Sequence, residues 1–114
     1  MSDVLVTENI QGVSMNRLIQ EHDVEFDAYL WQNTDLLKQK IQNTQALIVR
    51  NQTKVNRELI DAAPELKIIA RAGVGLDNVD TDYAREKGIV VCFTPDANSL
   101  SVAELTIGLM LALM

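Results

Sequence analysis

Short apolar runs alternate with segments of helical spacing along this chain. Val4–Val6 is apolar throughout and predicts a first strand; 10–21 follows with helical spacing. The run 24–29 predicts a second strand. Residues 35–42 place Leu36, Leu37, Lys40 and Ile41 at turn spacing, with Asn33 or Thr34 as the N-cap. Ala46–Val49 is a continuous apolar strand. A short helix over 56–63 is stopped by Pro64, because proline lacks the N–H that a helix interior needs. Residues 66–70 predict a fourth strand. Residues 81–87 predict a short helix ended by Gly88, and 89–93 a fifth strand. Ser99 or Ser101 then caps a last helix running to Met114.

Three of these strands are apolar on both faces. That pattern belongs to a parallel sheet with helices on either side. The expected fold is therefore α/β: a flavodoxin-like, doubly wound parallel sheet of about five strands, with a long apolar C-terminal helix. The last helix is apolar nearly all round, which is the mark of a buried helix. It is too short and too polar at its start to span a bilayer. The pattern suggests that it packs against a further domain or a second copy of the chain.

Composition narrows the partners. The chain has 114 residues, 47% of them apolar, which suits one domain with a core. A net charge of −6 argues against nucleic acid or an anionic membrane as partner. Cys92 is the only cysteine, so no internal disulfide forms; its apolar surroundings predict a buried, inert thiol. The start lacks the basic-then-apolar pattern of a signal peptide, so the expected location is cytoplasmic.

The candidate chemistry gathers around Gly73-Val74-Gly75, a tight turn after an apolar strand. Glycines let a backbone come close to a ligand, and open α/β sheets bind ligands at the C-terminal ends of their strands. The turn is a near miss for the dinucleotide fingerprint G-x-G-x-x-G. Its third position is Asn78, and the helix after it starts late and is short, so a pyrophosphate finds no helix N-terminus at the glycines. A plain turn, or a loop whose N–H groups receive a carboxylate, remains. Arg50 and Lys54 follow the third strand and are expected beside that turn, as an anion site or as a solvated basic loop. Asp77 and Asp80 suit Asx turns and helix capping better than metal or acid–base work. Glu104 is an acid early in the apolar helix; it complements a helix N-terminus or falls in a cleft. His22 lies at the opposite edge and suits a helix end. No metal-ligand cluster, Ser/His/Asp set or Walker loop is visible.

Four blocks stand in one order: Leu47 to Val55, Ala63 to Asp80, Lys87 to Val91, and Thr94-Pro95 with Asn98-Ser99 and Ala103-Glu104-Leu105. Together they resemble the N-terminal part of the NAD-dependent D-isomer-specific 2-hydroxyacid dehydrogenases. The resemblance implies a substrate-binding domain over 1–98, incomplete here, and a helix over 99–114 leading toward a separate Rossmann domain that binds NAD. It implies that Arg50 and Asn51 meet the substrate, where relatives often have Ser in place of Asn51. It implies that Gly73, Val74 and Gly75 bind the substrate carboxylate through their backbone, with Val74 also near the nicotinamide. Asn98 then faces the substrate. The substrate would be a small 2-hydroxy or 2-oxo acid, phosphorylated or not. The assembly would be a homodimer through the 99–114 helix. None of the residues present matches the family's catalytic arginine, glutamate and histidine, so the chain alone is expected to be inactive. A non-catalytic small-ligand α/β module and an association module acting through the 99–114 helix are the alternatives. A receiver domain fits poorly, because Thr7-Glu8 after the first strand is not its acidic pair.

Overall fold

The computed structural model describes residues 3–10, 13–72 and 78–93, together with Glu104, Thr106 and Gly108. Five strands form one sheet: β1 (Val4–Val6), β2 (Val24–Phe26), β3 (Ala46–Val49), β4 (Ile68–Arg71) and β5 (Val90–Phe93). Every pairing is parallel, and the order is β2-β1-β3-β4-β5. That is the flavodoxin-like order, in which the chain reverses direction across the sheet between β1 and β3. Four helices connect the strands: α1 (Val13–Glu21), α2 (Thr34–Lys40), α3 (Arg57–Asp61) and α4 (Thr81–Glu86).

The strand pattern explains the two layers. Successive residues of a strand point to opposite faces. Leu5, Leu47, Val49 and Ile69 therefore share one face, where they pack with Leu37 of α2, Leu59 and Ile60 of α3 and Ala84 of α4. Val4, Val6, Ala46, Ile48, Ile68 and Ala70 share the other face, with Leu18 of α1. Central strands β1, β3 and β4 are buried along their whole length. Fully burying one such leucine contributes about 1.5–3 kcal/mol, so the core of this small domain lies in these three strands.

Among the described residues, polar side chains cap α2, α3 and α4; Asp77, Ser99 and Ser101 lie outside the described residues. Asn33 Oδ1 accepts from the Leu36 N–H at 3.1 Å, so Asn33 rather than Thr34 caps α2. Asn56 accepts from the Leu59 N–H at 3.0 Å, and Asp80 from the Tyr83 N–H at 3.1 Å. Gly88 adopts φ = 77°, as a helix-ending glycine should.

Several boundaries differ from expectation. The second strand ends at Phe26, not Tyr29, because the Asp27 side chain accepts from the Tyr29 N–H and turns the chain. A single 3-10 turn, Leu30–Gln32, follows. The fourth strand runs over Ile68–Arg71 because pairing with β3 sets Ile68 opposite Ala46 and Arg71 opposite Val49. Cys92 is half-buried rather than buried, since β5 is an edge strand; Phe93 beside it is 48% exposed. Burial pushes the Cys92 thiol up from its ordinary pKa, which keeps it protonated and unreactive. The Gly73-Val74-Gly75 turn, Asn98 and most of the expected 99–114 helix lie outside the described residues. Within that last segment Glu104, Thr106 and Gly108 are helical; Glu104 is exposed and Thr106 buried. Among the described residues no helix is long and apolar enough to cross a membrane.

Candidate functional site at the C-terminal sheet edge

Parallel strands present all their C-terminal ends on one edge. There the loop after β3 leaves Val49 and carries Arg50 to Lys54. Its shape is set by residues from two other strands. From the end of β1, the Glu8 carboxylate enters the loop and is only 3% exposed. Its Oε2 accepts from the Arg50 N–H at 2.6 Å and the Thr53 N–H at 3.1 Å, and its Oε1 from the Gln52 N–H at 2.9 Å. The Thr53 hydroxyl donates to the same Oε2 at 2.7 Å and lies 2.7 Å from the Thr7 hydroxyl. Three backbone N–H groups converging on one carboxylate form an anion-binding concavity of the kind that elsewhere takes phosphate or a ligand carboxylate. Here the chain fills it itself.

From beyond β4, Asn78 grips the other side of the loop. Its Nδ2 donates to the Arg50 carbonyl at 2.7 Å and the Thr53 carbonyl at 2.8 Å. Its Oδ1 accepts from Arg71 Nε at 2.8 Å. The backbone of Asn78 also receives the Val55 N–H at 2.7 Å, and the Asp80 N–H reaches the Val55 carbonyl at 2.9 Å. Val55 and Val79 thus pair in parallel beyond the strands proper. Asn78 and Arg71 are both buried. A buried amide that satisfies both its ends is worth more than its hydrogen bonds singly, because each lost partner would leave a desolvated group.

This geometry disposes of the dinucleotide fingerprint on structural grounds. Where the fingerprint needs its third glycine for close helix–strand packing, this chain uses a side chain with three hydrogen bonds. The following helix starts only at Thr81 and is capped by Asp80, whose carboxylate accepts from the Tyr83 N–H. The residues described at this edge do not fit a pyrophosphate.

Arg50 and Asn51 are both exposed at this edge. The Arg50 backbone is held at its N–H by Glu8 and at its carbonyl by Asn78, so its Cα has little freedom. Asn51 makes no hydrogen bond among the described residues. The Ala72 N–H donates to the Val49 carbonyl at 2.9 Å; the 73–75 turn expected beside this loop lies outside the described residues. Lys54 lies elsewhere in detail. It lines a groove of about 170 Å³ with Trp31, Thr34, Leu37, Lys38, Asn56 and Leu59, between the loop and α2. A larger hollow of about 190 Å³, lined by Pro64, Leu66 and Ile89 among others, sits by the opposite ends of β4 and β5 and plays no part at this edge.

Away from the edge the remaining polar groups act structurally. The Tyr83 hydroxyl donates to Asp61, and this bond is the main reason its pKa is raised above the ordinary value. Arg57 and Lys87 lie over the same ring at 5.0 and 5.3 Å. His22 follows α1, as its sequence position implied. Among the described residues no three His, Cys, Asp or Glu side chains gather to hold a metal ion.

Glu8, Thr53, Arg71 and Asn78 form the framework of this site, yet none was singled out as functional from the sequence. The signal for Glu8 was its place directly after an apolar strand, Thr7-Glu8, at the switch in strand order. The signal for Asn78 was its substitution for glycine in an otherwise good fingerprint.

Comparison with known proteins gives these features a context. The family model for the catalytic domain of D-isomer specific 2-hydroxyacid dehydrogenases matches residues 4–108. The D-3-phosphoglycerate dehydrogenase of Methanocaldococcus jannaschii is 46% identical over 112 residues, covering 98% of this chain and 21% of the relative. The hydroxypyruvate reductase of Thermotoga maritima is 43% identical over 109 residues, covering 96% of this chain and 35% of the relative. Among solved structures, the NAD+-bound 3-phosphoglycerate dehydrogenase of Entamoeba histolytica superposes with a TM-score of 0.70 at 30% identity, over 96% of this chain and 38% of that one. The chain thus spans between about a fifth and two fifths of the length of these relatives.

Proposed function

The chain belongs to the D-isomer specific 2-hydroxyacid dehydrogenases, and from that premise we propose that it is the substrate-side part of a cytoplasmic NAD-dependent dehydrogenase. The reaction would pass a hydride between nicotinamide and C2 of a 2-hydroxy or 2-oxo acid. The substrate we favour is 3-phosphoglycerate, oxidised to 3-phosphohydroxypyruvate at the entry to serine synthesis. The likeness to the phosphoglycerate dehydrogenase of M. jannaschii supports that choice. The second reading is a glyoxylate or hydroxypyruvate reductase, favoured by the nearly equal likeness to the T. maritima reductase.

One observation carries the role of this chain. Arg50 is exposed at the C-terminal sheet edge on a backbone fixed by Glu8 and Asn78. A guanidinium is a planar fork matched to carboxylate or phosphate, and a fixed backbone lowers the ordering cost of using it. Asn51 beside it offers an amide with no partner among the described residues. Gly73, Val74 and Gly75 would receive the acid's carboxylate on their backbone, with Val74 also near the nicotinamide. Asn98 would complete the polar wall. The 1–98 segment would be the substrate-binding domain, and the 99–114 helix would lead toward the NAD-binding domain and share in a homodimer surface.

NAD supplies the hydride acceptor when bound. The residues described here do not form its pyrophosphate site, so this chain's part is to bind and orient the acid. Transfer of the substrate proton would fall to the family's histidine–glutamate pair and polarisation of the oxygen to its arginine, which no residue here matches. The 114-residue chain alone is therefore expected to lack dehydrogenase activity.

NADH oxidation by the complete enzyme with phosphohydroxypyruvate, hydroxypyruvate and glyoxylate tests both readings. The phosphoglycerate reading expects the highest kcat/KM for the phosphorylated acid. It also expects Arg50→Ala to raise KM for that acid by about tenfold or more, the scale of one lost charge-assisted pair. Equal kcat/KM for glyoxylate would favour the second reading. An unchanged KM in Arg50→Ala would remove Arg50 from the site.

A further inference from the structure

The hydrogen bonds between the segments that follow β1 and β3 carry one more assignment, which rests on the reading of Arg50 and Asn51 as substrate contacts. We infer that Glu8 is the positioning residue of the substrate loop, its buried carboxylate filling the loop's own anion-binding concavity so that the acid is met by the Arg50 and Asn51 side chains instead.

In sheets of this strand order, the crevice outside the carboxyl ends of β1 and β3 is the natural ligand position. Here that crevice is plugged. The N–H groups of Arg50, Gln52 and Thr53, and the Thr53 hydroxyl, all end on Glu8 within 2.6 to 3.1 Å. While Glu8 is in place, no outside carboxylate or phosphate can use those donors. Recognition at this loop passes to its exposed side chains, Arg50 and Asn51 among them.

The same contacts fix where Arg50 starts from. Glu8 holds the N–H side of the loop, and Asn78 holds the carbonyl side through Arg50 and Thr53. A loop tied at both sides by buried charge-assisted and amide bonds keeps one conformation. Glu8→Gln keeps one acceptor oxygen but sets an NH2 donor where the other stood, facing loop donors that now end on that oxygen, so the loop must rearrange there. Arg50 would then search for the substrate rather than meet it. Glu8 never touches substrate in this account; it acts through Arg50.

A mutant cycle in the complete enzyme, read by kcat and KM for the preferred 2-oxo acid, separates this role from plain stability. Glu8→Gln is expected to raise KM about tenfold while kcat stays within about threefold, since ground-state positioning is what is lost. Thr53→Val, which keeps the side-chain shape and removes only the hydroxyl, shifts KM in the same direction by less. In an Arg50→Ala background, Glu8→Gln adds no more than about twofold, because both changes act through one loop. Hydrogen exchange of the 50–53 amides rises in Glu8→Gln at temperatures where the rest of the sheet stays protected. A lowered Tm with a wild-type KM in Glu8→Gln would overturn the inference, as would effects of Glu8→Gln and Arg50→Ala that multiply independently. Should Glu8→Gln fail to fold, a wild-type KM in Thr53→Val overturns it equally. If Arg50→Ala raises KM and neither Glu8→Gln nor Thr53→Val does, only this inference falls. If Arg50→Ala itself leaves KM unchanged, the substrate-loop reading falls and this one with it.

Discussion

Asn78 shows how one side chain can redirect a motif. At the third position of a near fingerprint, a glycine would allow close helix–strand packing. Asn78 instead ties Arg71 to the Arg50 and Thr53 carbonyls. Asn78→Gly would restore the sequence pattern G-x-G-x-x-G and remove all three bonds. We expect it to destabilise the domain by about 2–4 kcal/mol, the range for breaking a buried polar network, measured by urea denaturation. We also expect no gain of NAD affinity. Near-neutral stability would mean that the network is not the reason for asparagine here. At this scale the sequence was only partly legible. Asp80 as a helix cap, and Arg50 at the sheet edge, could be read from residue type and position. Glu8 is marked only by its place after β1; the loop it serves, 42 residues away, leaves no local spacing to detect.

Elements were legible wherever local chemistry decided them. Ala46–Val49 is four apolar residues between polar ones, and it forms a strand with those bounds. Helix α4 has its Asp80 cap and its Gly88 stop. The 24–29 run favours an extended strand by its apolar residues, but the Asp27 turn competes and ends the strand at Phe26. The fourth strand was read two residues early, at Leu66, because burial there comes from packing under α3 and α4 while pairing begins at Ile68. Gly88 gives the clean test at this scale. A Cβ built there meets nothing within 4 Å, yet φ is +77°. Gly88→Ala therefore pays backbone strain without any clash, and is expected to cost about 1–2 kcal/mol in thermal or chemical unfolding. A neutral result would indicate that the turn after α4 relaxes to another conformation.

For the whole molecule, the alternation of strand and helix was enough to give a doubly wound parallel sheet, since buried parallel strands have few other homes. The order β2-β1-β3-β4-β5 then sets where a ligand can go. Its switch-point crevice is closed by Glu8, and the open chemistry lies on the exposed 50–51 pair and toward the segment after β4. The central claim is that this chain holds the acid and does not hold the cofactor's pyrophosphate. The most direct test is a backbone amide NMR titration of the 114-residue chain with 3-phosphoglycerate and, separately, with NAD. The account predicts saturable shifts at Arg50, Asn51 and the 73–75 amides with the acid, and no comparable set with NAD. Saturable shifts with NAD at 73–78, or acid-induced shifts confined to the Trp31–Lys54 groove, would contradict it.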